Sequence, residues 1–185
     1  MKICKIFEIN GKDKTYWQIL DAAVSLDMKV GHLKWTIASL AKQAKVSRPL
    51  IYHYFGRSKE NILLESICYF NKYILGTSPE QMKEWENHNI TPSIKIAREL
   101  LDKIPAIIPF YYINRTKDNA IGRALREQRA ILFKKLKHFF PQLEMIKIQV
   151  IKAMLFGIIF YPELPVSVVE SSCEEISKMI FPNNF

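Results

Sequence analysis

The sequence predicts an all-α fold, and three observations carry that prediction. Apolar residues recur at helical spacing through most of the chain. No segment shows the period-2 alternation of a half-buried strand. Gly is scarce, at 6 of 185 residues, while 49% of residues are apolar, which favours helices over a turn-rich β fold. A chain of this length buries a core without staples. The organisation read from it is a small basic unit of three helices, residues 1–57, followed by a bundle of about five or six more over residues 58–185.

The elements follow in order. In "KTYWQILDAAVSLDMKVG" the residues Tyr16, Ile19, Leu20, Ala23, Val24 and Leu26 make a helical stripe, and Gly31 is a plausible stop. Thr36 is an N-cap candidate. Behind it Ile37, Leu40, Ala41 and Ala44 fall at i, i+3, i+4, i+7, one face of a short helix. Ser47 reads as the next N-cap, opening "RPLIYHYF", which ends at Gly56. Ser58 caps a third start, "SKENILLESICYFNKYIL", of about five turns. Beyond Gly76 the punctuation is Pro-based, with helical stretches at 92–104, 105–113, 118–139, 142–161 and 166–181.

Charge and cysteine content bound the partners. The net charge is +9, and residues 1–60 hold 11 basic and 5 acidic residues, so the first third carries two thirds of the excess. A basic N-terminal unit points to a polyanion. Cys4, Cys68 and Cys173 lie far apart with no CxxC pair, so a reducing compartment without a disulfide framework is expected. "MKICKIFEI" lacks the h-region of a signal peptide, and "AMLFGIIFY" is far short of a span of about 20 residues. The expected location is cytoplasmic, with no membrane partner. In the tail, Lys2, Lys5, Lys12 and Lys14 suit the minor groove of DNA, whereas Ile3, Ile6, Phe7 and Ile9 suit packing. "GRALREQRAILFKKLKHFF" is basic and amphipathic. It suits contact with DNA or a membrane, but such a helix more often buries its apolar side and solvates its charges.

Two short helices joined by a three-residue turn form a helix-turn-helix when their apolar faces meet. Leu40, Ala41, Ala44, Val46, Ile51 and Phe55 supply the shared core. The other face of the second helix then carries Arg48, Leu50, Tyr52 and His53, with Pro49 tolerated in the first turn. These groups suit the major groove: Arg48 can donate to guanine, Leu50 can lie against a thymine methyl, and Tyr52 and His53 can bond phosphate or base edges. The helix starts at Thr36 and Ser58, with Lys59 beside the second, suit phosphate. Thr36, Lys45, Ser47, Arg48, Pro49, Leu50, Tyr52, His53, Arg57 and Lys59 are therefore the candidate DNA-contacting residues.

The run "QILDAAVSLDMKVG…TIASLAKQAKVSRPLIYHYFGRSKENILLESI" resembles the DNA-binding domain of TetR-family transcriptional regulators over residues 14–67. The matching positions are Ile19, Leu20, Ala22, Ala23, Leu40, Ala41, Val46, Ser47, Tyr52, Tyr54, Phe55, Ser58, Lys59 and Glu60. Three positions depart from the pattern: Lys45 stands where the turn usually has Gly, Leu26 replaces an aromatic, and the second helix begins Arg-Pro-Leu. A Lys at a φ > 0 position carries a modest strain.

The resemblance implies a homodimer whose last two long helices form a four-helix bundle with their twins, with Ile148, Ile151, Leu155, Phe156, Ile159 and Ile176 at the interface and Gly157 allowing close approach. Two recognition helices about 34 Å apart would read a palindromic operator in double-stranded DNA. It also implies an effector pocket in the larger domain for an unknown small molecule. The candidates there are Tyr69, Tyr73, Arg98, Phe110, Tyr111, Phe133 and Phe156, each of which also reads as ordinary core or, for Arg98, as a solvated helix face.

Nothing in the sequence indicates catalysis. His32, His53, His88 and His138 lack metal-ligand spacing, and there is no GxSxG, Walker loop or GxGxxG. No cofactor, metal or catalytic residue is expected. The expected function is a ligand-responsive regulator, in all expectation a repressor. The alternative is a DNA-anchored helical scaffold without an effector, with an all-α enzyme as a third reading.

Overall fold

The computed structural model describes residues 13–74, 78–87, 89–161 and 163–181. The tail residues Lys2, Ile3, Cys4, Lys5, Ile6, Phe7, Ile9 and Lys12 lie outside them, so the two readings of that tail do too. All regular structure among the described residues is helical: α1 (Asp13–Val30), α2 (Ile37–Gln43), α3 (Arg48–Phe55), α4 (Lys59–Ile74), α5 (Pro79–Glu86), α6 (Thr91–Lys103), α7 (Ile107–Asn114), α8 (Ala120–Phe139), α9 (Met145–Phe160) and α10 (Val166–Ile180). The expected all-α class holds, with helix ends within a few residues of those read from spacing. The helix not foreseen is α5. Its signal is "SPEQ": the Ser78 hydroxyl accepts from the Gln81 N–H at 3.2 Å, the Gln81 side chain accepts from the Ser78 N–H at 3.4 Å, and Pro79 stands in the first turn.

The chain divides into two compact units, Met1–Phe70 with Ile104–Arg126, and Asn71–Lys103 with Glu127–Phe185. In the first, the α1 stripe (Ile19, Leu20, Ala23, Val24) is fully buried with Leu40 of α2, Ile51 of α3 and Ile62 and Leu63 of α4. Each large side chain so buried stabilises by about 1.5–3 kcal/mol. α7 also packs on α1 and buries Ile107, Phe110, Tyr111 and Asn114. Its link to α8 is tightly held. Arg126 donates to the Arg115 and Lys117 carbonyls, Asn119 Oδ1 accepts from the Gly122 N–H at 2.8 Å, and a Cβ on Gly122 would meet the Lys117 carbonyl oxygen at 2.0 Å.

In the second unit, α9 packs on α6 and α10. Arg98 of α6 donates to the Ile158, Tyr161 and Leu164 carbonyls at 2.6, 3.0 and 3.2 Å, taking up acceptors that the end of α9 leaves free. Trp85 of α5 donates its indole N–H to Ser93 Oγ at 2.8 Å and stacks on Phe140. Cys173 is free and buried, and burial pushes its thiol pKa up.

Candidate nucleic-acid interface

Local sequence shapes the α2–α3 hairpin. Thr36 Oγ1 accepts from the Ser39 N–H and Ser39 Oγ accepts from the Thr36 N–H, both at 3.0 Å, so a Ser at the third helical position does the reciprocal work usual for Glu or Gln. α2 ends in a Schellman turn: the Val46 N–H bonds the Ala41 carbonyl at 3.0 Å and the Lys45 N–H the Lys42 carbonyl at 3.3 Å. That turn requires a left-handed residue, and Lys45 supplies it at φ 53°. The strain anticipated for Lys45 is therefore present. α3 starts at Ser47, whose hydroxyl makes no capping bond, carries Pro49 in its first turn, and stops at Gly56 with φ 69°.

α3 divides its aromatic residues between two jobs. Ile51 and Phe55 point into the core, and Phe55 lies against the Tyr16 ring of α1 at 4.8 Å between centroids. Tyr54 is half-buried and meets the same ring edge-on. Arg48, Pro49, Tyr52 and His53 are exposed and Leu50 is half-buried. The Arg57 guanidinium sits over the Tyr52 ring at 5.8 Å. Thr36, Lys45, Ser47 and Arg57 are exposed as well. Residues 28–59 contain no acidic residue. None of Lys34, Lys42, Lys45, Arg48 and Arg57 forms an ion pair among the described residues. A helix face free of acidic residues, with Arg48 on it and Lys45 and Arg57 at its two ends, is suited to a phosphate-lined groove.

Lys59 has a different place. Its ammonium donates to the Leu33 and Trp35 carbonyls and lies over the Trp35 ring, so it fastens the α1–α2 connection from the start of α4. The other fastener, missed in the sequence, is Asp27. Its buried carboxylate accepts from the Leu33 N–H at 2.8 Å and the Trp35 indole at 2.9 Å, and pairs with His32 Nδ1 at 3.1 Å. The available signal was an acid at the helical position beneath Ala23 and Val24, both on the core stripe.

The effector candidates are divided between the two units. Tyr69, Phe110 and Tyr111 belong to the first unit and Tyr73, Arg98, Phe133 and Phe156 to the second. The second unit holds a cleft partly open to solvent, with about 430 Å³ of empty space when its solvent-exposed mouth is included, and of the candidates only Phe156 lines it. Its wall along α9 is Lys152, Leu155, Phe156 and Ile159, faced by Ile94 of α6 and Leu132 of α8. Leu155 and Ile159, expected at a dimer interface, thus line the cleft.

The remaining interface candidates, Ile148, Ile151 and Ile176, are 1%, 1% and 0% exposed and form the core of the protomer itself. The apolar surface of α9 lies elsewhere, along Ile146, Val150, Ala153, Gly157 and Tyr161. Their successive spacings of 4, 3, 4 and 4 put them on one stripe, with Ile146 74% exposed.

Among the described residues no three His, Cys, Asp or Glu side chains group as metal ligands, and no helix is long and apolar enough to cross a membrane. Residues 19–66 match the signature of bacterial regulatory proteins of the tetR family. No curated protein matches the chain. Among solved structures, a HlyIIR mutant protein with one segment substituted by a GSSGSSG linker aligns over 93% of this chain and 96% of its own, with a TM-score of 0.51 at 18% identity. Another HlyIIR mutant protein, with a segment substituted by alanine, aligns over 94% and 97%, with a TM-score of 0.45 at 18% identity. The first of these likenesses is one of fold.

Proposed function

Because this chain belongs to the tetR family of bacterial regulatory proteins, a membership carried by residues 19–66, we propose that it is a cytoplasmic, ligand-responsive repressor that binds a palindromic operator as a homodimer. The observation that carries the reading is the outward face of α3, where Arg48, Tyr52 and His53 stand clear of the core beside Arg57, with Leu50 half-buried among them. In this reading residues 1–57 are the DNA-binding domain and 58–185 the effector and dimerisation domain. Arg48 and Tyr52 read base edges, while Ser47, Lys45 and Arg57 hold phosphates.

Dimerisation uses the exposed α9 stripe at Ile146, Val150, Ala153, Gly157 and Tyr161. A helix that is apolar nearly all round calls for cover on both faces, and one face is open in the protomer. The cleft favours a ligand-responsive protein over a scaffold with a sealed core. An effector acts by preferring the state in which the two heads cannot engage both half-sites together.

The test is binding of the purified protein to DNA from upstream of its own gene, at two salt concentrations, beside Tyr52→Ala. Sequence-specific binding that weakens with salt and with Tyr52→Ala is expected. Equal binding of wild type and variant to operator and random DNA would sink the reading of α3.

A further inference from the structure

The cleft of the second unit has a chemical signature of its own. Its walls are almost wholly aliphatic and aromatic, with Leu155, Phe156 and Ile159 along α9, Ile94 on α6 and Leu132 on α8. Two polar groups of the lining satisfy each other, since the Trp85 indole donates to Ser93 Oγ. The group left over is Lys152. It lines the cleft one turn before Leu155 and Phe156, is half-buried, and makes no hydrogen bond or ion pair among the described residues. No acidic residue lines the cleft with it.

We propose that this cleft takes an apolar carboxylate, with the hydrocarbon along the α6–α8–α9 walls and the carboxylate paired to the Lys152 ammonium. The proposal rests on the reading of the second unit as an effector domain and names the ligand class. Charge complementarity selects it. A neutral apolar ligand would cover Lys152 and leave a buried charge unpaired, and a cationic one would add repulsion. Burial and the nearby Arg129 charge both push the Lys152 pKa down, so the free protein already holds this ammonium at a cost that an anion offsets. A ligand of higher charge would bring more negative charge than one ammonium matches in a site otherwise lined by hydrocarbon.

The test compares dodecanoate, dodecanol and dodecylammonium, each below its micelle concentration, by calorimetric titration of the full chain, with Lys152→Met and Lys152→Arg. Dodecanoate should bind at least about tenfold tighter than dodecanol, the scale of one hydrogen-bonded charge pair. Lys152→Met should erase that difference while leaving dodecanol binding unchanged, and Lys152→Arg should keep it. Equal binding of acid and alcohol, a difference that survives Lys152→Met, or no binding of dodecanoate would each overturn the proposal. Operator binding is read separately. Selective dodecanoate binding without any change in operator affinity upholds the ligand class and overturns ligand-responsive repression instead.

Discussion

Asp27 Oδ1 accepts from the Trp35 indole N–H at 2.9 Å, and the same oxygen accepts from the Leu33 N–H at 2.8 Å. Leu33 is left-handed, at φ 57°, a conformation a Leu adopts only where its surroundings impose it. One carboxylate thus shapes the connection that leads into the recognition hairpin. Replacing Asp27 by Ala strands the buried Trp35 indole and the part-buried Leu33 N–H and should cost about 3 kcal/mol, read as a drop in the thermal midpoint of about 6–12 °C. A loss of only a few tenths of a kcal/mol would show that these bonds do not hold the connection.

Lys45 separates two properties that usually move together. Lys45→Gly relieves the left-handed strain and should raise stability by about 1 kcal/mol. The same change removes a cation from the proposed DNA face. Affinity should fall across all sequences alike, with the salt slope reduced by about 1. Chemical denaturation and salt-titrated DNA binding check the two arms. A variant that is both less stable and unchanged on DNA would refute both assignments.

The two faces of α9 should respond to charge in opposite ways. Ile146→Lys, on the exposed stripe, should give a folded monomer in sedimentation, with operator affinity lost because both half-sites can no longer be engaged together. Ile148→Lys, two residues on, places an unpaired charge in the core and should unfold the protein. A dimeric Ile146→Lys protein would move the interface elsewhere.

Asp21 gives a pH signature. Burial raises its carboxyl above the ordinary 3.8, and the Ser25 hydroxyl only partly opposes this. A raised folded-state pKa means that the charged form is disfavoured on folding. At pH 7 the wild type bears that cost, and it is relieved as the pH falls through the raised value. Asp21→Asn should therefore be more stable than wild type at pH 7, by well under about 1 kcal/mol for a part-exposed group, with the advantage shrinking toward pH 4. An advantage that grows on acidification would contradict the burial argument.

The recognition hairpin was legible in the sequence because its determinants are local. Thr36 and Ser58 cap, Ile51 and Phe55 keep helical spacing, and Tyr52 and His53 fall opposite them. Which side of α9 is exposed was not legible for a physical reason. A helix with apolar residues at Ile146, Ile148, Val150 and Ile151 has no polar face to orient it, so spacing cannot say which side meets the protomer's own core. Asp27 and Lys59 escaped because their partners, Leu33 and Trp35, are backbone and side-chain groups of a connection whose path the sequence does not reveal. The cleft escaped because its lining comes from residues 74 to 160, gathered only by folding.

The three carbonyls held by Arg98 set a ruler on the hairpin between α9 and α10. Ile158, Tyr161 and Leu164 are spaced so that one planar fork reaches all of them. Adding or deleting a single residue there would move one acceptor out of reach and leave a cation short of partners. The loop that joins the last two helices should accordingly tolerate changes of side chain far better than changes of length, the reverse of what surface connections ordinarily allow.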